Sequence, residues 1–143
     1  MGGVDALAGK IVYLDANVFV YAVEGFAEHQ AFIDELFRSI DSGHVRAVTS
    51  ELTLAEVLIK PLETGRHDVA AVYEELLQSS EHLSVVPIDR AILTSAARHR
   101  ADLGIKLPDA IHVATAIAVG CDVLLSNDQK LRVPKEIELR VLG

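Results

Sequence analysis

The chain reads as an α/β protein built on a mainly parallel sheet. Short β-branched apolar runs alternate with amphipathic stretches of helical period. The connections between them are only a few residues long. The apolar runs are also continuous rather than alternating, as expected of strands covered on both faces.

Taken in order, residues 1–9 are small and polar enough to be a loose lead-in, and residues 10–14 (KIVYL) form the first strand. A short helix follows at 18–23, closed by Gly25. Apolar residues at Phe32, Ile33, Leu36, Phe37 and Ile40 mark a helix within 26–40, with Gly43 after it. Residues 45–48 are a second strand. Ser50 is a good N-cap for a helix over 51–59, which Pro61 is expected to stop. Residues 68–78 are amphipathic, and 83–88 (LSVVPI) form a third strand with Pro87 near its end. Asp89 caps a helix running to about Leu103, ended by Gly104.

Residues 107–131 organise the rest. Pro108 suits a first helical turn, where its missing N–H costs nothing, and Gly120 is the expected stop. Residues 122–126 (DVLLS) are a buried strand, and 137–142 close the chain as a last strand.

Length and composition bound the function. A chain of 143 residues, half of them hydrophobic, is expected to be one domain (1–143) with a full core. It shows no membrane-spanning run and no apolar signal region, and Cys121 is a lone cysteine in an apolar context. These features predict a cytoplasmic protein with no membrane partner. The net charge is −8, from 21 acids against 13 Lys plus Arg. That argues against broad electrostatic binding of nucleic acid, unless acids converge on a cation that reverses the local field.

Four acids fall where a parallel sheet would gather them. Asp15 ends the first strand, Glu56 lies on the helix after the second, Asp109 starts a helix, and Asp128 follows the fourth strand. Ligands of open α/β sheets bind beyond the carboxyl ends of the strands. Taken singly, Asp15 and Asp128 read as N-caps and Asp109 as a complement to a helix dipole. Glu56, in a nearly all-apolar helix, needs a partner. Together the four read as a site. Clustered carboxylates repel one another unless a cation neutralises them, and hard oxygen donors favour Mg²⁺ or Mn²⁺. The expected chemistry is metal-assisted hydrolysis of a phosphodiester.

Four pieces then carry a resemblance: Leu14-Asp15-Ala16-Asn17, Ser50-x-x-Thr53-x-x-Glu56, Lys106-Leu-Pro-Asp109-Ala-Ile-His-Val-Ala-Thr115-Ala, and Leu125-Ser126-Asn127-Asp128-Gln-Lys-Leu131. In that order the chain resembles PIN-domain proteins, and in size and layout the small VapC-type toxin ribonucleases of toxin–antitoxin pairs. The resemblance implies a five-stranded parallel sheet flanked by helices and a Mg²⁺- or Mn²⁺-dependent endoribonuclease. It implies Asp15 and Asp109 as direct metal ligands, Asp128 completing the metal site, and Glu56 acting through a bound water. Asn17 and Ser126 match positions that orient the acids. It also implies a homodimer and a small antitoxin partner, with RNA as substrate. Leu131 stands where the family usually has an aromatic, a departure expected to affect packing.

Other residues add less. His112 lies three residues after Asp109 on the same helix face, which suits a core or supporting role. Lys106, three residues before Asp109, is the best placed cation for RNA phosphates; Lys130 and Arg132 are further candidates. Four Phe, three Tyr and no Trp do not indicate recognition by stacked bases.

A phosphotransfer receiver domain would want paired acids at the end of the first strand, where Tyr13 and Leu14 precede Asp15. A haloacid-dehalogenase phosphatase would want an acid where Asn17 stands. The rival reading is a PIN-like binding module with little or no nuclease activity.

Overall fold

The computed structural model describes residues 3–142. The sheet is five-stranded and parallel throughout, in the order β3-β2-β1-β4-β5. Its strands are β1 (Ile11–Leu14), β2 (Arg46–Ser50), β3 (Leu83–Val86), β4 (Val123–Ser126) and β5 (Glu138–Val141). Six α-helices connect them: α1 (Ala16–Glu24), α2 (Gln30–Asp41), α3 (Glu51–Glu63), α4 (His67–Leu76), α5 (Arg90–Leu103) and α6 (Leu107–Ala118).

Alternation along the central strands divides the core in two. Val12 and Leu14 of β1, with Val123 and Leu125 of β4, face Phe19, Leu36, Val57 and Tyr73 from the α1–α4 layer. Tyr13 and Leu124 point the other way, against Ile92 and Ala96 of α5 and Ala110, Val113 and Ala114 of α6. Both faces are covered, which explains the unbroken apolar runs. Cys121 is buried in the second of these clusters, as its context suggests. Burial pushes its thiol up to about 12, so it is an inert core group.

Three local expectations need correction. Met1 and Gly2 lie outside the described residues, but the rest of the lead-in is not loose. Residues Val4–Leu7 form a 3₁₀ turn that buries Val4 and Leu7 in the α1–α4 core. Pro61 does not stop α3, which runs on to Glu63 with the proline ring buried in its last turns. The end is secured elsewhere, by the Thr64 N–H and hydroxyl donating to the Lys60 carbonyl at 3.0 and 2.9 Å. Phe26 does not join a helix; it sits in the α1–α2 connection, where Gly25 takes φ +80°. The buried stripe Ile33, Leu36 and Ile40, with Phe32 and Phe37 packed beside it, carries α2 into the core.

The cap at Asp89 forms as expected: its Oδ1 accepts the Ile92 N–H at 2.9 Å. Asp89→Ala should therefore cost about 1 kcal/mol, read as a lower urea midpoint at unchanged m-value. An unshifted midpoint would contradict this role for the cap.

Candidate metal centre

The parallel pairing of β1 with β4 places Leu14 beside Leu125 and so carries Asp15 to Ser126. Asp15 caps α1, its Oδ1 accepting the Ala16 N–H at 2.6 Å. The Ser126 hydroxyl donates to Asp15 Oδ2 at 2.7 Å and accepts the Asp128 N–H at 3.1 Å. Asp128 in turn accepts the Lys130 N–H at 2.9 Å. One buried hydroxyl thus ties together two acids from the ends of adjacent strands.

The second half of the site comes from α3 and α6. His112, 2% exposed, directs Nε2 at Glu56 Oε1 at 2.6 Å, with Asp15 Oδ1 3.9 Å away. Its other ring nitrogen, Nδ1, lies 2.6 Å from the Tyr13 hydroxyl, which lies 2.9 Å from Ser50 Oγ. An ionised carboxylate only accepts, so the hydrogen between His112 and Glu56 belongs to Nε2. Nδ1 then engages the Tyr13 hydroxyl in either protonation state of the ring. Burial, above all, pushes the Tyr13 phenol well above its ordinary range, aided by the Asp15 charge and opposed by the Ser50 bond; it stays a neutral hydroxyl. Ser50, expected as a side-chain cap for α3, spends its hydroxyl here instead and forms no cap bond. Glu56 has the partner that its apolar helix demands.

Asp109 occupies the first turn of α6, one helical turn before His112. Its carboxyl is raised above the ordinary range by burial first, then by the charge of Asp15, with smaller contributions from Asp128 and Glu56; His112 acts in the opposite sense. All four acids of the sequence reading therefore act within one electrostatic neighbourhood. Ligand atoms of Asp15, Glu56 and His112 lie within 4.8 Å of one another. Such a cluster is consistent with a metal site. Because His112 Nε2–H is committed to Glu56, the available donors are carboxylate oxygens, a set suited to a hard divalent cation.

The remaining candidates are less central. Asn17 is solvent-exposed at the second position of α1, and Ser126 rather than Asn17 holds Asp15. Lys106 is the exposed residue preceding α6, while Lys130 and Arg132 are exposed beyond Asp128. Leu131 is buried in the α5–α6 core. Sequence reasoning gave Tyr13 no role, because a tyrosine in an apolar strand looks like any core residue. Its hydrogen-bond partners, 37 and 99 residues away, are found only by folding.

An all-parallel sheet with acids massed at the carboxyl ends of its central strands defines a class of α/β protein with a cation-ready edge. The sequence model of the PIN domain matches residues 12–136, and the chain belongs to that family. No curated protein sequence matches it. Among solved structures, the fold is similar to VapBC2 from Rickettsia felis bound to a promoter DNA fragment, with TM-score 0.71 and 17% identity over 93% of this chain and 99% of that one. DNA-bound VapBC from Salmonella typhimurium gives TM-score 0.69 and 21% identity over 94% and 99%. VapC20 of Mycobacterium tuberculosis, a Sarcin-Ricin loop cleaving toxin, gives 0.65 and 16% over 79% and 86%. Among the described residues, no helix is long and apolar enough to cross a membrane.

Two outcomes follow from this geometry. Folding raises the pKa of Asp109, so the folded protein holds that proton more tightly than the unfolded chain. Stability of the metal-free protein must then fall as pH rises from the ordinary Asp range through the raised value, and the penalty is complete above it. Asp109→Asn removes the penalty, and in EDTA at neutral pH it should melt about 1–4 °C higher than wild type. The gap should close on acidification; an equal or lower melting temperature at neutral pH would contradict the repulsion. Tyr13→Phe leaves His112 and Ser50 short of a buried partner and should cost about 1–3 kcal/mol in urea unfolding. A neutral effect would mean that the buried chain contributes no stability.

Proposed function

We propose that this chain is a divalent-metal-dependent endoribonuclease that hydrolyses RNA phosphodiester bonds, the toxin of a toxin–antitoxin pair, with residues 1–143 acting as one PIN-like domain. The observation that carries the reading is the convergence of Asp15, Glu56, Asp109 and Asp128 on one edge of the sheet, with the repulsion this places on Asp109. An acidic cluster in which Asp15, Glu56 and Asp109 are partly buried is expensive unless a cation completes it. Membership of the PIN family and the likeness to VapC20, a Sarcin-Ricin loop cleaving toxin, support the same direction.

Asp15 and Asp109 would hold Mg²⁺ or Mn²⁺ directly, with Asp128 completing the site and Glu56 acting through water. A bound cation supplies positive charge that offsets the phosphodiester and acidifies water. The protein's own part is orientation and proton handling. Ser126 fixes the rotation of the Asp15 carboxylate and anchors the backbone at Asp128. His112 holds Glu56 by Oε1 and leaves Oε2 as the atom that takes a proton from the attacking water. Asn17, exposed two residues beyond Asp15, supports the acids from the outside. Lys106, Lys130 and Arg132 supply positive charge for phosphates on a chain of net charge −8.

The partner reading is a homodimer with a small antitoxin protein. It draws on the resemblance and on the VapBC complexes solved for the similar structures from Rickettsia felis and Salmonella typhimurium. Sizing of the purified chain and co-purification with its neighbouring gene product test it; a lone monomer that captures nothing would sink it.

The decisive experiment is cleavage of a mixed RNA pool with Mg²⁺ or Mn²⁺ and with EDTA, wild type beside Asp15→Asn and Asp109→Asn. Cleavage is expected only from wild type with metal, the variants losing about 100-fold or more. Ser126→Ala should lose about 10- to 100-fold through disorientation of Asp15. Metal at about 100 times its Kd should also stabilise wild type by about 2.7 kcal/mol and the Asp variants far less. Activity shared equally by all the proteins marks a contaminant. Absence of cleavage in every lane favours the binding-module reading.

A further inference from the structure

The sparse aromatics of the sequence do not indicate recognition by stacked bases, yet folding collects three rings beside the acidic site. Tyr21 at the end of α1, and Phe26 and His29 from the α1–α2 connection, lie with centroids 5.0, 5.1 and 5.6 Å apart. Their planes are within 21–33° of one another. Core aromatics elsewhere in this chain meet edge-on, as Phe19 and Phe37 do at 71°. Tyr21 packs against the α1–α4 core, whereas Phe26 belongs to neither core cluster. Phe26 is 45% exposed, and the group lines one wall of an open cleft of about 590 Å³.

The opposite wall is the segment that carries Asp128. Asn127, Asp128, Gln129 and Lys130 line it, and the two walls are joined by the Asn127 amide donating to the Tyr21 hydroxyl at 2.7 Å. A cluster of near-parallel rings therefore shares the cleft with side-chain amides and an ammonium group, immediately beside one acid of the candidate metal centre. Glu28 and Asp128 also line the cleft, so it is no simple basic groove.

We propose that Tyr21, Phe26 and His29 form a stacking subsite for one unpaired nucleobase of the RNA, flanking the bond that is cut. This rests on the nuclease reading and specifies how its substrate is held. The chain is strongly acidic, so long-range attraction to phosphates is weak, and affinity must come from contacts indifferent to net charge. Stacking on aromatic faces is such a contact, and it requires an unpaired base. Asn127 and Gln129 offer hydrogen bonds to the base edge, and Lys130 reaches the adjoining phosphate. Because Asn127 precedes Asp128 directly, a base seated on the rings places its phosphate next to the acids. Double-stranded RNA has no free base face to offer and is excluded.

The test uses short unpaired RNAs of mixed sequence carrying one 2-aminopurine, whose fluorescence falls on stacking. Binding is measured with the full chain carrying Asp109→Asn, so that the probe survives. Phe26→Ala in that background should weaken binding about 5- to 100-fold and abolish the quenching. Phe26→Trp should keep both, and a duplex probe should show neither. In the otherwise wild-type chain, Phe26→Ala should raise KM for the RNA pool with kcat little changed. Unaltered binding, quenching and KM in Phe26→Ala would overturn the subsite while leaving the nuclease standing, and would turn the rings into a protein-facing surface. A wild-type chain that neither binds nor cuts RNA would remove both proposals together. Phe26 lies outside every helix and strand and is exposed, so its replacement leaves the fold intact, checked by an unchanged melting temperature.

Discussion

The pairing of β1 with β4 is the constraint on which the rest of the site depends. Parallel strands cannot be joined by a tight turn, so the chain leaves the sheet after Leu14 and passes through β2, β3 and the helices between before β4 begins at Val123. The register that results sets Leu14 against Leu125 and delivers Asp15 to the Ser126 hydroxyl across 111 residues of sequence. A slip of one residue would turn Val12 and Leu14 out of the α1–α4 core and Tyr13 into it. The hydrophobic alternation of the strand and the position of the carboxylate are therefore protected by the same pairing. Core packing sets the site geometry to within a hydrogen bond.

The burial of charge is handled in two different ways within a few ångströms. Glu56 is held by an ordered hydrogen-bonded chain running through His112 and Tyr13 to Ser50, each member using another's spare donor or acceptor. Asp109 has no such chain and keeps a raised pKa from burial and from its acidic neighbours. The protein thus holds one carboxylate fixed and leaves another electrostatically unsatisfied. That contrast is what an oxygen-rich cation site needs: rigid orienting groups around a charge deficit that the cation itself fills. Among the described residues, no buried side-chain polar atom lacks a hydrogen-bond partner, so the unmet demand is one of charge rather than of hydrogen bonding.

For the proposed RNA substrate an acidic surface poses an opposing problem, and the α1–α2 connection speaks to it. Gly25 ends α1 at a positive φ, freeing the chain to fold Phe26 and His29 back over Tyr21. Recognition through ring faces is less sensitive to net charge than recognition through phosphates, and it selects unpaired bases. On the proposed reading, the same short connection that turns the chain from α1 to α2 would also choose the form of RNA admitted to the acids.

Much of this was readable without a structure. Continuous apolar strands alternating with helical stripes determined an α/β sheet covered on both faces, because burial follows periodicity directly. Asp15, Glu56, Asp109 and Asp128 were legible as a group because each stands at a position defined by its own element, and the sheet topology sends those positions to one edge. Local rules also misled. Proline chemistry ended α3 too early at Pro61, whose ring the tertiary core accommodates, and a helical stripe drew in Phe26, which the connection needed for itself. What only the tertiary structure decided are contacts between residues with no shared local pattern: Tyr13 with His112, His112 with Glu56, and Tyr21 with Asn127. Hydrogen bonds and ring stacking are fixed by distances of a few ångströms between distant segments, and such distances exist only once the sheet has closed its register.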